Sequence, residues 1–151
     1  MRYRFLFIPL LILAADRATK WWALRYLASV PTVPILPGLF HLTLVRNTGV
    51  AFGLFRGYGL WVTFATLAVL AALAISALKR GIMRGWIFPT GLSMVVGGAL
   101  GNLIDRVWLG AVVDFLDFRV WPVFNVPDSC ITVGAVLMGW SFLRADRCTR
   151  S

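Results

Sequence analysis

Residues 57–78 (GYGLWVTFATLAVLAALAISAL) and 85–104 (GWIFPTGLSMVVGGALGNLI) decide the fold, because neither stretch contains a charged residue. Each approaches the roughly 20 residues that an α-helix needs to cross the hydrocarbon core of a bilayer. Apolar residues make up 60 % of the 151-residue chain and charged residues only 14 %. In soluble globular proteins, apolar residues make up roughly 45–50 % and charged residues about 25 %. The composition therefore predicts a single-domain integral membrane protein.

Two further stretches predict helices of similar length. Residues 5–24 open with eleven uncharged residues before three charges appear, and residues 120–143 carry one charge, Asp128. The first stretch has the basic start of a signal peptide, but no small-residue cleavage site follows it, so we predict a retained helix. The chain is then one domain, 1–151, with four transmembrane helices at about 4–25, 57–78, 84–105 and 121–144.

The charge distribution predicts the orientation of these helices. With the N-terminus inside, the cytoplasmic side holds eight basic residues and one acidic residue. The outer side holds seven basic residues and five acidic residues. The net charges are +7 inside and +2 outside, which places both termini in the cytoplasm by the positive-inside rule. Because the total charge of +9 is distributed between apolar spans, we expect no nucleic-acid partner.

The longest segment outside the predicted helices, residues 30–56, favours strands. Pro31, Pro34 and Pro37 disfavour a helix there, and FHLTLV (40–45) alternates in the manner of a half-buried strand. We expect a small β-sheet at the outer membrane surface.

Several polar residues converge at one depth near the outer face. At 1.5 Å per helical residue, counting from the inner boundary places Asp16 about 18 Å up and Asp128 about 24 Å up. The same count places Asn102 near 27 Å and Asp105 near 32 Å, in a hydrocarbon core about 30 Å thick. Carboxylates inside a membrane are costly, which makes them candidates for function.

Each candidate also has a structural interpretation. Asp16 and Lys20 are spaced i,i+4 and can pair, either for structure or positioning or for direct chemistry. Asp105 fits an ion pair at a helix end, and Asp117 fits a solvated rim. Asp128 fits the first turn of a helix, where the helix dipole stabilises a negative charge.

The residue types restrict the chemistry. All six acidic residues are Asp, the only His is His41, and Cys130 and Cys148 are the only Cys. These residues offer few metal ligands and no plausible disulfide framework. A Ser-His-Asp catalytic arrangement is disfavoured, because no Ser lies near His41 in sequence. Two carboxylates that share a proton are a remaining possibility. On residues alone, a small membrane transporter, a proton channel and a noncatalytic assembly factor also stay open.

Five blocks follow one another along the chain: DRATK (16–20), RNTGVAFG (46–53), GGALGNLIDR (97–106), VVDF (112–115) and FNVPDS (124–129). In this order they resemble the bacterial lipoprotein signal peptidases, also called signal peptidase II. The resemblance implies an all-α membrane fold with four transmembrane helices and a small extracytoplasmic β-cradle. It also implies a multi-pass enzyme of the bacterial inner membrane whose active site lies near the extracytoplasmic face.

The activity implied is that of an intramembrane aspartyl endopeptidase. It removes the signal peptide from prolipoproteins immediately before a cysteine that carries diacylglycerol. The implied catalytic pair is Asp114 and Asp128, with no metal and no cofactor. Supporting or substrate-binding positions are Asp16, Lys20, Asn47, Asn102, Asp105, Arg106 and Asn125. The implied partners are the diacylglyceryl-prolipoprotein, membrane lipid and antibiotics of the globomycin type.

One position departs from the family pattern. The family usually has Ala where this chain has Pro127, directly before Asp128. Because Pro is well tolerated in the first helical turn, we expect a small local adjustment.

Overall fold

Within the residues that the structure describes, the protein is mostly helical and carries a small sheet, as the sequence predicts. The computed structural model describes residues 4–48, 59–79 and 85–150. The helices are α1 (Arg4–Tyr26), α2 (Gly59–Lys79), α3 (Ile87–Leu109) and α4 (Val126–Arg150), and the strands are β1 (Val33–Leu36), β2 (Phe40–Asn47) and β3 (Val112–Asp117). Residues 49–56 of the predicted strand segment, and the predicted helix positions 57, 58 and 84, lie outside the described residues.

Two helices within the described ranges are long and apolar enough to cross a membrane. They are α3 and the part of α4 from Val126 to Arg144, with mean hydropathies of 1.5 and 1.4. This pair supports a membrane protein.

The sequence prediction placed the start of α4 near residue 121, but the helix begins at Val126. Just before the helix, Phe124 forms an isolated antiparallel bridge with Leu116 of β3, through hydrogen bonds of 2.8 and 3.0 Å. Asn125 then caps the helix, since its side-chain oxygen accepts the N–H of Asp128 at 2.9 Å.

Glycines let α3 approach both α1 and α4 closely. A Cβ at Gly97 would lie 2.9 Å from Cα of Pro9 in α1. A Cβ at Gly98 would lie 2.6 Å from the carbonyl oxygen of Pro127 in α4. Such small residues allow close helix contact in membranes. The buried Pro127 therefore packs the first turn of α4 against α3.

The sheet is antiparallel in the order β1-β2-β3. Val45 is opposite Asp114 and Asn47 is opposite Val112 in the pairing of β2 with β3. Strand β3, which begins only three residues after α3 ends and carries Asp114, was not predicted from the sequence. Phe115 anchors this strand to α1 in a cluster with Ala23 and Leu27.

Candidate active site

Four charged side chains from α1 and α3 form a cluster at the C-terminal half of α1. Lys20 Nζ lies 2.8 Å from Oδ1 of Asp16 and 2.7 Å from Oδ2 of Asp105. Arg17 pairs with Asp16 and lies 2.7 Å from Oδ1 of Asp105. It also donates to the carbonyl of Gly101 at 3.1 Å. Two acids and two bases therefore balance in a region where a lone charge would be costly.

Asp105 also links this cluster to the sheet. Its Oδ2 accepts the backbone N–H of Val113 at 3.1 Å. The residue after Val113 is Asp114, so the end of α3 fixes the backbone of β3 beside that carboxylate. Asp105 forms the ion pair that its place at a helix end predicts, but the cations that it contacts come from α1.

Asp114 is buried and accepts hydrogen bonds from two asparagines. Asn125 Nδ2 donates to its Oδ1 at 2.6 Å, and Asn47 Nδ2 donates to its Oδ2 at 2.9 Å. Asp114 is only 1 % exposed, so these two amides supply hydrogen bonds that water would otherwise make to the carboxylate. Asn47 is opposite Val112, two residues before Asp114, so the pairing of β2 with β3 makes Asn47 and Asp114 diagonal neighbours on one face of the sheet.

Asp128 lies at the third helical residue of α4 and takes part in the cap of that helix. Its Oδ2 accepts the backbone N–H of Asn125 at 3.3 Å, while the Asn125 side chain accepts the N–H of Asp128. This reciprocal pair has the form of a capping box. The other carboxylate oxygen of Asp128, Oδ1, accepts a hydrogen bond from Nδ2 of Asn102 in α3 at 2.7 Å.

Asn125 therefore contacts both carboxylates. It is fully buried, and its side chain reaches Asp114 while its backbone reaches Asp128. Two carboxyl groups from different elements, β3 and α4, therefore accept hydrogen bonds from one residue.

The environment of Asp114 favours its protonated form. Burial first, and then the negative charge of Asp128, raise the pKa of Asp114 from 3.8 to about 7, although the bonds from Asn47 and Asn125 oppose the rise. At neutral pH the group is close to half protonated. The site can therefore hold one proton on a carboxyl beside a second carboxyl, which is what paired acid–base catalysis needs.

Arg106 of α3 supplies a positive charge near these groups. It is partly buried, and its charge interacts with those of Asp128, Asp114 and Asp105. A fixed cation at this position can counter negative charge that develops on a substrate.

The structure brings together the predicted site residues that lie in α1, α3, β2, β3 and α4. Lys20 also contacts Asn102, whose Oδ1 lies 3.3 Å from Nζ. Arg17 was not among the predicted site residues, although its place directly after Asp16 in DRATK is a signal that the sequence contains. The catalytic and supporting roles themselves remain predictions.

The expectation for Asp117 was wrong. This residue is 5 % exposed and not a solvated rim residue. Thr43 donates to it at 2.8 Å, and the backbone N–H of Arg119 donates at 2.8 Å. These bonds hold a turn in which Arg119 adopts a left-handed φ of 65°. Burial opposes ionisation, but the bonds from Thr43 and Arg119 hold the pKa of Asp117 below its usual range.

His41 lies in β2 opposite Asp117. Its Nδ1 is 3.4 Å from the hydroxyl of Thr32, and the ring is partly buried. Among the described residues, no group of three or more His, Cys, Asp or Glu is placed to hold a metal ion.

Comparisons of the sequence with known proteins agree on one family. A family model described as "Signal peptidase (SPase) II" matches residues 8–144. The lipoprotein signal peptidase of Thermosynechococcus vestitus is 46 % identical over 136 residues, which cover 87 % of this chain and 85 % of that protein. The protein of the same name from Pelotomaculum thermopropionicum is 41 % identical over 140 residues, or 92 % of this chain and 91 % of that one.

A solved structure described as a bacterial membrane enzyme has a similar fold. It superposes with a TM-score of 0.79 at 28 % identity and covers 93 % of this chain and 88 % of that chain. A second solved structure with the same description has a TM-score of 0.74, also at 28 % identity.

Proposed function

The chain belongs to the signal peptidase II family and removes signal peptides from prolipoproteins, and we propose that Asp114 and Asp128 are the catalytic pair of this reaction. The alternative of a small transporter or proton channel is not supported, because the curated relatives are named as peptidases.

The observation that carries the proposal is the contact of Asn125 with both carboxylates. Its side chain donates to Asp114 at 2.6 Å and its backbone donates to Asp128 at 3.3 Å. These donors fix both groups in position, and each carboxylate oxygen keeps a second lone pair that can take a proton or accept a hydrogen bond from water.

The proposed reaction is an aspartic acid–base hydrolysis. The ionised carboxylate takes a proton from water, and the water oxygen forms a bond to the scissile carbonyl carbon. The protonated carboxyl then donates its proton to the leaving nitrogen as the C–N bond breaks. The products are a carboxylic acid and an amine, and the pair ends with one proton, as it began; the new acid then gives its own proton to the amine or to solvent.

The substrate is proposed to be a precursor cleaved immediately before its diacylglyceryl cysteine. The acyl chains of such a precursor stay in the membrane, so they hold the scissile bond at the depth estimated for Asp128. Binding energy from this remote part of the substrate would then orient the reacting bond. Membrane lipid is a further partner, and inhibitors of the globomycin type would occupy the same pair.

The proposed topology is a single domain with four membrane-spanning helices. At 23 and 21 residues, α1 and α2 have the length that a span needs. The charges of α1 do not prevent this, since Asp16 and Lys20 are buried in ion pairs that also include Arg17. We place both termini in the cytoplasm and the active site near the extracytoplasmic face of the bacterial inner membrane.

The test is cleavage by the purified protein in detergent micelles. The matched substrates are one diacylglyceryl-prolipoprotein and the same precursor with its cysteine unmodified. We expect the lipidated precursor to be cleaved before the cysteine and the unmodified one to have a much lower kcat/KM. Equal kcat/KM for the two precursors would contradict the role of the lipid, and cleavage of neither would contradict the function.

A further inference from the structure

The ammonium of Lys20 has three N–H groups, and three acceptors surround it. They are Oδ1 of Asp16 at 2.8 Å, Oδ2 of Asp105 at 2.7 Å and Oδ1 of Asn102 at 3.3 Å. Lys20 is 2 % exposed, so protein atoms rather than bulk water surround its ammonium. The contact with Oδ1 of Asp16 is an ion pair without hydrogen-bond geometry, whereas Nζ donates a hydrogen bond to Asn102. Two of these contacts balance charge. The third, to Asn102, is to a neutral side chain and calls for a different explanation.

The third contact decides which way the amide of Asn102 points. Because lysine can only donate, the atom of Asn102 that faces it must be the carbonyl oxygen. The NH₂ group is then directed at Asp128, where it donates to Oδ1 at 2.7 Å. The reversed amide would place NH₂ against an ammonium and a carbonyl oxygen against a carboxylate, and both contacts would be repulsive.

Asn125 has too few N–H groups to satisfy all the acceptors around it. Its NH₂ group has two hydrogens but faces three acceptors: Oδ1 of Asp114 at 2.6 Å, Oδ1 of Asn102 at 3.1 Å and the carbonyl of Val113 at 3.3 Å. A donor from Lys20 to Asn102 allows Asn125 to keep its short bond to Asp114. Removal of that donor makes Asn102 and Asp114 compete for the same amide.

We propose that Lys20 is a positioning residue for the catalytic pair, acting through Asn102 on Asp128 and through Asn125 on Asp114. This inference rests on the proposed function of Asp114 and Asp128. The competing explanation is that Lys20 only neutralises Asp16 and Asp105. The two explanations differ in what they require at position 20, since the first needs a hydrogen-bond donor and the second needs a positive charge.

Two matched pairs of variants separate them. Lys20→Met removes both the charge and the donor, whereas Lys20→Gln removes the charge and keeps an NH₂ donor on a side chain that matches Met in length and is one bond shorter than Lys. Each is made alone and together with Asp16→Asn, which restores charge balance because Arg17 and Asp105 remain as one base and one acid. The readouts are kcat and KM for a diacylglyceryl-prolipoprotein in detergent, and the Tm of each purified variant.

We expect Asp16→Asn to raise the Tm of both Lys20 variants. Within the charge-balanced pair, Lys20→Gln should have a kcat at least about tenfold above that of Lys20→Met, with KM values within about threefold, since misplacing reacting groups lowers kcat strongly. Equal kcat values in whichever pair folds would overturn the role of Lys20, as would a charge-balanced Lys20→Met variant with wild-type kcat.

Asp114→Asn, assayed beside these variants, separates the two possible failures. If Asp114→Asn cleaves at the wild-type rate, the proposed catalytic pair is wrong. If Asp114→Asn is inactive while the Met and Gln variants are equally active, the pair stands and only the positioning role of Lys20 is wrong.

Discussion

Asn125 donates to Asp114 across 2.6 Å from a position at which it also caps helix α4. One residue thus supports the helix that carries Asp128 and orients the carboxylate on the neighbouring strand. The stability of the helix end and the geometry of the proposed catalytic pair depend on the same amide group, but on opposite ends of it. The side-chain oxygen caps the helix, and the side-chain nitrogen donates to Asp114.

This division predicts different effects for two substitutions of Asn125. Asn125→Asp keeps an oxygen for the cap but places a carboxylate against Asp114, so activity should fall about 100-fold or more while helix α4 remains capped. Asn125→Ala loses both roles, and the lost cap should cost about 1 kcal/mol of unfolding free energy. Cleavage rates and chemical unfolding in detergent measure the two effects. Wild-type activity in Asn125→Asp would contradict the role assigned to the nitrogen.

The raised pKa of Asp114 predicts the pH dependence of cleavage. With a pKa of about 7, Asp114 stays protonated in acid and loses its proton as the pH rises through neutrality. A pair with both carboxyls ionised has no proton to give to the leaving amine. We therefore expect kcat/KM, which reports the free enzyme, to fall above about pH 7. A rate that stays constant up to pH 9 would show that Asp114 is not the proton donor.

The same shift predicts how stability changes with pH. Between about pH 4 and pH 7 the folded protein binds more protons at Asp114 than the unfolded chain does, because 3.8 is the ordinary pKa. The free energy of unfolding therefore falls as the pH rises through this window. Asp114→Asn does not titrate, so its Tm relative to wild type should rise by about 3 °C or more from pH 5 to pH 8. Asp117→Asn, which changes a group with a lowered pKa, should not show this rise.

The proposed topology predicts which residues are accessible from outside the cell. Single cysteines replace Val33 in β1 and Thr149 at the end of α4, in a background without Cys130 and Cys148. A membrane-impermeant thiol reagent applied to intact spheroplasts should label position 33 and leave position 149 unmodified. Labelling of position 149 before the membrane is disrupted would reverse the orientation.

Local spacing and ordered motifs were sufficient to predict much of the site. The i,i+4 spacing of Asp16 and Lys20 predicted their contact, and the order of the motifs predicted the family. Helix depth counts placed Asn102 and Asp128 near one level, and the two side chains lie 2.7 Å apart. These features depend on residues close in sequence, or on regular helical geometry, and both can be counted along a chain.

The features that sequence reasoning missed depend on long-range pairing. Asp117 was predicted to be solvated, but its partner Thr43 lies 74 positions away on β2, and only the register of β2 with β3 brings the two together. The strand β3 itself is short and lies directly after a long helix, so its alternation is difficult to recognise. The left-handed conformation of Arg119 depends on Asp117 and has no glycine to indicate it.

The central claim is that Asp114 and Asp128 act together, and its most direct measurement is the cleavage rate of Asp114→Asn, Asp128→Asn and the double variant. Asn keeps the size of Asp but cannot exchange a proton, so each single change should lower kcat by at least about 10³- to 10⁴-fold. The double variant should be little worse, because the two groups work as a unit. Asp117→Asn, which changes a buried carboxylate with a structural role, should keep substantial activity and lose some stability. Near wild-type cleavage by a folded Asp114→Asn, together with an inactive Asp105→Asn, would contradict the claim and move the partner of Asp128 to the end of α3.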